Sequence, residues 1–190
     1  TESRGLFMID VLVVATHPDD ETLGCGGTLL RHRSNGDNIH WLICTDQPEN
    51  KTRKKEIEKV SSLYQFSTVH NLNLEPTKID QSSSKFLVDK ISRVFLKVKP
   101  DVIYLPFKHD IHSDHRAIFD AAISCTKSFR YPFIKKIYMM ETISETDFSI
   151  EQFSPNTYVD ISEFLEKKKQ IMSTYSSEIS EPPFPRSLRS

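Results

Sequence analysis

Two periods alternate along the chain. Ile9–Thr16 (IDVLVVAT) is a β-branched apolar run too short for a helix, with a proline soon after, the pattern of a strand buried on both faces. Asn38–Thr45 (NIHWLICT) and Asp101–Phe107 (DVIYLPF) read the same way, and Thr68–Leu74 and Lys135–Glu141 predict further short strands. Between the strands the period becomes helical. Ile57, Val60, Leu63 and Tyr64 share one face of Lys51–Phe66, and Phe86, Leu87, Ile91, Val94, Phe95 and Val98 share one face of Asp80–Val98. Thr28–Ser34, Asp114–Ser124 and Glu163–Tyr175 complete the predicted helices. Strand followed by helix, repeated, predicts an α/β domain with a mostly parallel sheet and helices on both faces.

Composition narrows this reading. A length of 190 residues suits one domain spanning 1–190; Thr1–Phe7 does not read as a signal peptide, and 1–7 is expected to be a remnant foreign to the domain, with Met8 the natural start. With 25 basic and 26 acidic residues the chain lacks the electrostatic footprint of a nucleic-acid binder. Its longest apolar run, Val11–Ala15, is far below the roughly 18 residues of a membrane span. Cys25, Cys44 and Cys125 form no CxxC pair, which predicts buried free thiols in a reducing cytoplasm.

The chemistry concentrates where two strands should end. His17-Pro18-Asp19-Asp20-Glu21 gathers one imidazole and three carboxylates directly after the first strand. Adjacent acids repel one another unless a cation or hydrogen-bond donors compensate. His and Asp three residues apart can reach one ion, leaving a second Asp for proton transfer. The competing reading is that Asp19 or Asp20 caps the following helix. Gly24-Cys25-Gly26-Gly27 comes next; it matches neither a dinucleotide fingerprint nor a P-loop and reads as close packing beside the site.

His109-Asp110-Ile111-His112-Ser113-Asp114-His115 follows the strand at 101–107 and holds three of the seven histidines. The competing reading is a solvated polar loop with Ser113 or Asp114 capping the next helix. Paired with the first cluster it predicts a metal site, since ligands bind beyond the carboxyl ends of strands in open α/β sheets. Catalytic zinc takes three protein ligands and keeps one position open; one His and one Asp from the first loop plus one His from the second meet that count. His32, His40 and His70 are isolated and read as structural. No GxSxG elbow is present, so metal-assisted hydrolysis is favoured over a covalent intermediate.

At these two motifs the chain resembles the PIG-L/LmbE-like zinc-dependent de-N-acetylases. Thr16–Glu21 matches their first motif, Gly24–Gly27 their GxGG, and His112-Ser113-Asp114-His115 their HxDH. Arg53–Glu56 is similar to their RxxE, Pro100–Pro106 to a family strand, and Tyr158–Lys167 and Pro185-Arg186-Ser187 to their C-terminal part. The resemblance implies a Rossmann-like fold and removal of an N-acetyl group from an N-acetylglucosamine-type sugar or its conjugate. It implies one Zn²⁺ per chain, with Fe²⁺ the alternative, held by His17, Asp20 and His115. It implies Asp19 as general base, His112 as the oxyanion stabiliser, Asp114 as the acid that orients a neighbouring His, and Arg53 as a substrate contact; Asp114 beside His112 would favour a protonated imidazolium there. Family members commonly continue past the PRS segment, so a C-terminal part of the domain is expected to be missing. Two rival readings are a metal phosphoesterase, which would want a second metal, and a non-catalytic sugar- or nucleotide-binding module, which an open coordination position disfavours.

Overall fold

A computed structural model describes residues 8–47 and 49–188. Five strands form one all-parallel sheet: β1 (Asp10–Ala15), β2 (Asn38–Thr45), β3 (Thr68–Leu74), β4 (Val102–Leu105) and β5 (Lys136–Met139). Their spatial order is β3-β2-β1-β4-β5. The chain builds outward from β1 to β3, then crosses back to the other side of β1, so the order reverses between β1 and β4. Crevices at such a reversal are where α/β proteins bind ligands.

The helices are α1 (Asp20–Ser34), α2 (Lys51–Tyr64), α3 (Ser84–Val98), α4 (Ser113–Ser124) and α5 (Leu165–Met172). Alternation along the strands gives two cores. Val11, Val13 and Ala15 of β1 pack with Leu29, Val60, Tyr64 and Ile171, the layer of α1, α2 and α5. Leu12 and Val14 pack with Leu87, Ile91, Phe95 and Ile118, the layer of α3 and α4. The sheet thus carries helices on both faces, as the periodicities predict. Among the described residues, no helix is long and apolar enough to cross a membrane.

Three predicted helices differ from the observed bounds by more than two residues. The first starts at Asp20, not Thr28. The amides of Thr22 and Leu23 already donate to Asp19 O, so the helix begins beside the first strand and runs through the glycines, with a kink at Cys25. Glycine is a poor helix former, but here it admits neighbours. A Cβ on Gly27 would lie 2.6–2.7 Å from three atoms of Ile161, and one on Gly26 2.5 Å from Tyr64 Oη. The third helix starts at Ser84 because Ser83 caps it through the Phe86 amide, leaving a separate turn at Ile79–Gln81. The last predicted helix divides: Ser162–Phe164 is a tight turn, α5 follows, and Thr174 and Tyr175 close it with bonds reaching only three residues back.

Gly27→Ala should therefore destabilise the fold by about 1–3 kcal/mol, the range for overpacking, because the β-branched stem of Ile161, and not its tip alone, stands in the way. Chemical denaturation of the variant checks this; an unchanged midpoint would mean Ile161 moves freely.

Candidate functional site

The loops after β1 and β4 meet at the sheet reversal. His17 Nδ1, Asp20 Oδ2 and His115 Nε2 form a triangle with edges of 3.6, 3.2 and 3.2 Å. Bonds of about 2.0–2.1 Å to a tetrahedral ion would set ligand atoms about 3.3 Å apart. The triangle has that size, and its two nitrogens and one oxygen suit zinc or iron(II).

The far nitrogen of each imidazole faces a carboxylate. His17 Nε2 lies 3.3 Å from Asp114 Oδ2, and His115 Nδ1 lies 3.1 Å from Asp110 Oδ2. Both acids are fully buried. A carboxylate at the remote nitrogen fixes a histidine's tautomer and points its other lone pair at the metal position. Asp114 is itself pinned by the amides of Thr77 and Ile79, at 2.6 and 3.1 Å. Asp20 is held by the His17 amide at 2.8 Å. The residues present therefore fit a single divalent cation on geometry, donor type and outer support.

Burial disfavours charge on His17, but Asp114 and Asp20 outweigh it and raise its pKa to about 9. His115 is raised to about 10 the same way, burial opposing and Asp20 and Asp110 prevailing. Burial works against the Asp20 carboxylate too, but His115 and His17 hold it well below the usual range.

The capping readings do not hold. Asp19 precedes α1 but makes no side-chain capping bond, and its φ of 132° is a conformation rare outside glycine. That turn lets Asp19 and Asp20 serve different neighbours. Asp19 lines the cleft, where Arg186 Nη1 donates to its Oδ2 at 3.0 Å. Burial and Asp20 raise its pKa well above normal, with Arg186 opposing. Its amide donates to Glu21 Oε2 at 3.1 Å, and Glu21 Oε1 accepts from Thr22 Oγ1 at 2.6 Å and Tyr175 Oη at 2.8 Å.

At α4 the cap is His112 itself: its Nδ1 accepts the Asp114 amide at 3.2 Å. This corrects the expectation of an imidazolium: Asp114 and Asp20 do favour charge on this ring, but they are outweighed. Asp114 turns its carboxylate to His17, and an accepting Nδ1 places the proton of a neutral ring on Nε2. Burial and the nearby His17 and His115 lower the His112 pKa.

A cleft of about 250 Å³ opens beside the triangle, and His17, Asp19, Arg53, His112, Glu145 and Arg186 are among its walls. Arg53 is reached from the N-terminal turn of α2, with Asn50 capping through the Arg53 amide at 3.1 Å. Asp110, Glu21, Glu145, Glu178 and Arg186 complete the site without having been given a role in it from sequence. The spacing of Asp110 from His115 and the PRS match at Arg186 were the available signals. His109 lies apart, paired with Glu151 at 3.2 Å. Among the isolated histidines, His32 bonds Asp37 and Tyr104, and His40 bonds Asp10 and Thr68, away from the cleft.

A parallel α/β sheet carrying a three-ligand cation pocket and a neighbouring acid at its reversal defines a Rossmann-like protein with a candidate metal centre. The chain belongs to the PIG-L family: the family model described as GlcNAc-PI de-N-acetylase matches residues 12–126. It is similar to the diacetylchitobiose deacetylase of Thermococcus kodakarensis, with 24% identity over 90% of this chain and 70% of the relative. Its fold is similar to that of a conserved protein from Thermus thermophilus, at TM-score 0.75 and 25% identity, covering 90% of this chain and 80% of that one. It is also similar to an N,N'-diacetylchitobiose deacetylase from Pyrococcus horikoshii, at TM-score 0.70 and 21% identity, covering 90% and 71%.

Proposed function

We propose that the protein is a metal-dependent hydrolase that removes the acetyl group from an N-acetylglucosamine-type sugar or conjugate. The observation that carries this is the triangle of His17, Asp20 and His115 opening onto a cleft walled by Asp19 and His112. In this reading those three residues hold one Zn²⁺, with Fe²⁺ the alternative. When bound, such an ion supplies Lewis acidity and lowers the pKa of a water to about 7.

The rest falls to the chain's own groups. Asp19 takes the proton of the attacking water and returns it to the departing amine. Its pKa, raised by burial and by Asp20, makes it a stronger base than an ordinary carboxylate. His112, neutral, directs its Nε2 proton at the oxygen where negative charge develops. Asp114 and Asp110 keep the two ligand imidazoles in register. Arg53 orients sugar hydroxyls from the cleft wall.

A two-metal phosphoesterase would need a second independent donor set. Among the described residues the other candidate cluster, His17, His112 and Asp114, shares the His17 ring with the first. The buried free thiols Cys25, Cys44 and Cys125 suit a reducing compartment, and we assign the enzyme to the cytoplasm on that ground.

The test is acetate release from N-acetylglucosamine and N,N'-diacetylchitobiose, before chelation, after it, and after adding back Zn²⁺ or Fe²⁺. Activity should vanish with the metal and return with it. A metal-loaded chain that liberates no acetate from any acetylated amino sugar would overturn the assignment.

A further inference from the structure

The cations of the cleft are already committed to carboxylates. Among the described residues that wall it, Arg53 and Arg186 carry the guanidinium groups, and no lysine joins them. Arg186 engages all three nitrogens: Nε donates to Ser144 Oγ at 2.6 Å, Nη2 to Glu145 Oε1 at 2.9 Å, and Nη1 to Asp19 Oδ2 at 3.0 Å. Arg53 donates through Nη2 to Glu178 Oε1 and through Nη1 to Pro18 O at 3.4 Å; Glu56 Oε2 also lies 3.4 Å from Nη1. Glu178 links the two, its Oε2 standing 3.6 Å from Arg186 Nη1. These groups are mostly shielded, with side-chain exposures of 17% for Arg53, 14% for Arg186 and 26% for Glu178.

A phosphate or carboxylate entering this space would find no unclaimed cation. It would also meet Asp19, Asp46, Glu145 and Glu178, the four acids of the wall. Taking a guanidinium would mean stripping a partly buried carboxylate of its partner, which is strongly unfavourable. A cation held by His17, Asp20 and His115 is engaged at the acetamido end and does not serve a distant anion. Sugar hydroxyls face none of these obstacles, because each can donate to a carboxylate and accept from a remaining N–H.

We infer that the substrate, on the deacetylase reading above, is a neutral N-acetylated amino sugar or oligosaccharide, and not a conjugate bearing phosphate or carboxylate beside the acetylated ring. Charge on the wall acts as selection against the wrong partner.

The experiment compares kcat/KM of the metal-loaded full chain for methyl N-acetylglucosaminide, N,N'-diacetylchitobiose and N-acetylglucosamine 1-phosphate. The neutral sugars should be preferred at least about tenfold, a modest discrimination for an active site. The gap should narrow as salt screens the wall acids. Glu178→Gln removes the carboxylate joining the two guanidiniums and should raise the phosphate-to-neutral ratio about tenfold, equivalent to ~1.4 kcal/mol. Equal or faster turnover of the phosphate by the wild type overturns the inference and leaves the deacetylase reading standing. Acetate from none of the three overturns both. If Glu178→Gln fails to fold, the wild-type ratio and its salt dependence decide alone.

Discussion

His115→Ala should lose metal and deacetylation together, whereas Asp19→Asn should keep the metal and lose most of the rate. The two side chains stand at the same sheet edge but face different neighbours. His115 is almost wholly buried and offers Nε2 to the triangle, 3.2 Å from both Asp20 Oδ2 and His17 Nδ1. Removing it leaves two ligands, with Asp110 losing the imidazole at 3.1 Å. Asp19 touches none of the three ligand atoms by hydrogen bond; its carboxylate is held by Arg186. An amide there still accepts from Arg186 but cannot take a proton. A general base contributes about 10²–10⁴-fold, so kcat should fall by about that factor at near-normal metal content. Elemental analysis beside single-turnover acetate release separates the two variants. Asp19→Asn protein that comes out of purification metal-free would show that Asp19, not only Asp20, holds the ion.

Much of this division is legible in the sequence because it rests on local spacing. A strand that ends at Ala15 places His17 and Asp20 on the next turn, and one that ends at Leu105 places His112 to His115 at the start of a helix. Pro18 and the unusual φ of Asp19 make that turn sharp enough to separate two adjacent acids, and only the structure shows the turn. The α/β order was equally readable, since strands buried on both faces are continuous apolar runs and the helices are amphipathic. The start of α1 was not, because three glycines argue against a helix by propensity while tertiary packing against Ile161, Tyr64 and Met140 requires them. Glu178 was invisible for another reason, and Arg186 was marked only by the PRS match. They reach the cleft from a segment after the last helix, more than a hundred residues beyond Asp19 and Arg53. No periodicity or spacing encodes a contact of that kind. The same limit hid the aim of Asp114: adjacency in sequence suggested His112, while the helix start turns its carboxylate to His17.

The metal-free protein should lose stability as pH rises from 7 to 9, and the metal should abolish that loss. In the folded chain His17 and His115 hold protons up to about 9 and 10, against an ordinary 6.5. A base whose pKa is raised on folding contributes stability that is complete below its unfolded pKa and disappears as pH climbs through the folded one. For these two residues that window runs from about 6.5 upward. Their rings meet nitrogen to nitrogen at 3.2 Å, which leaves room for one proton between them. One proton displaced over about two pH units corresponds to about 3 kcal/mol. Glu21, pushed by burial up to about 7, acts with the same sign at lower pH, between about 4.5 and 7. There the lowered pKa values of His112 and His70 oppose it, so the clean interval is 7 to 9. A bound cation replaces the shared proton, and its affinity rises as protons stop competing. Metal uptake at pH 7.5 should therefore release at least one proton per ion. Denaturation midpoints of chelated protein at pH 7, 8 and 9, with an indicator-dye titration of Zn²⁺ in weak buffer, check both halves. A flat or rising apo midpoint together with zero proton release would mean the ligand histidines are already neutral before metal arrives.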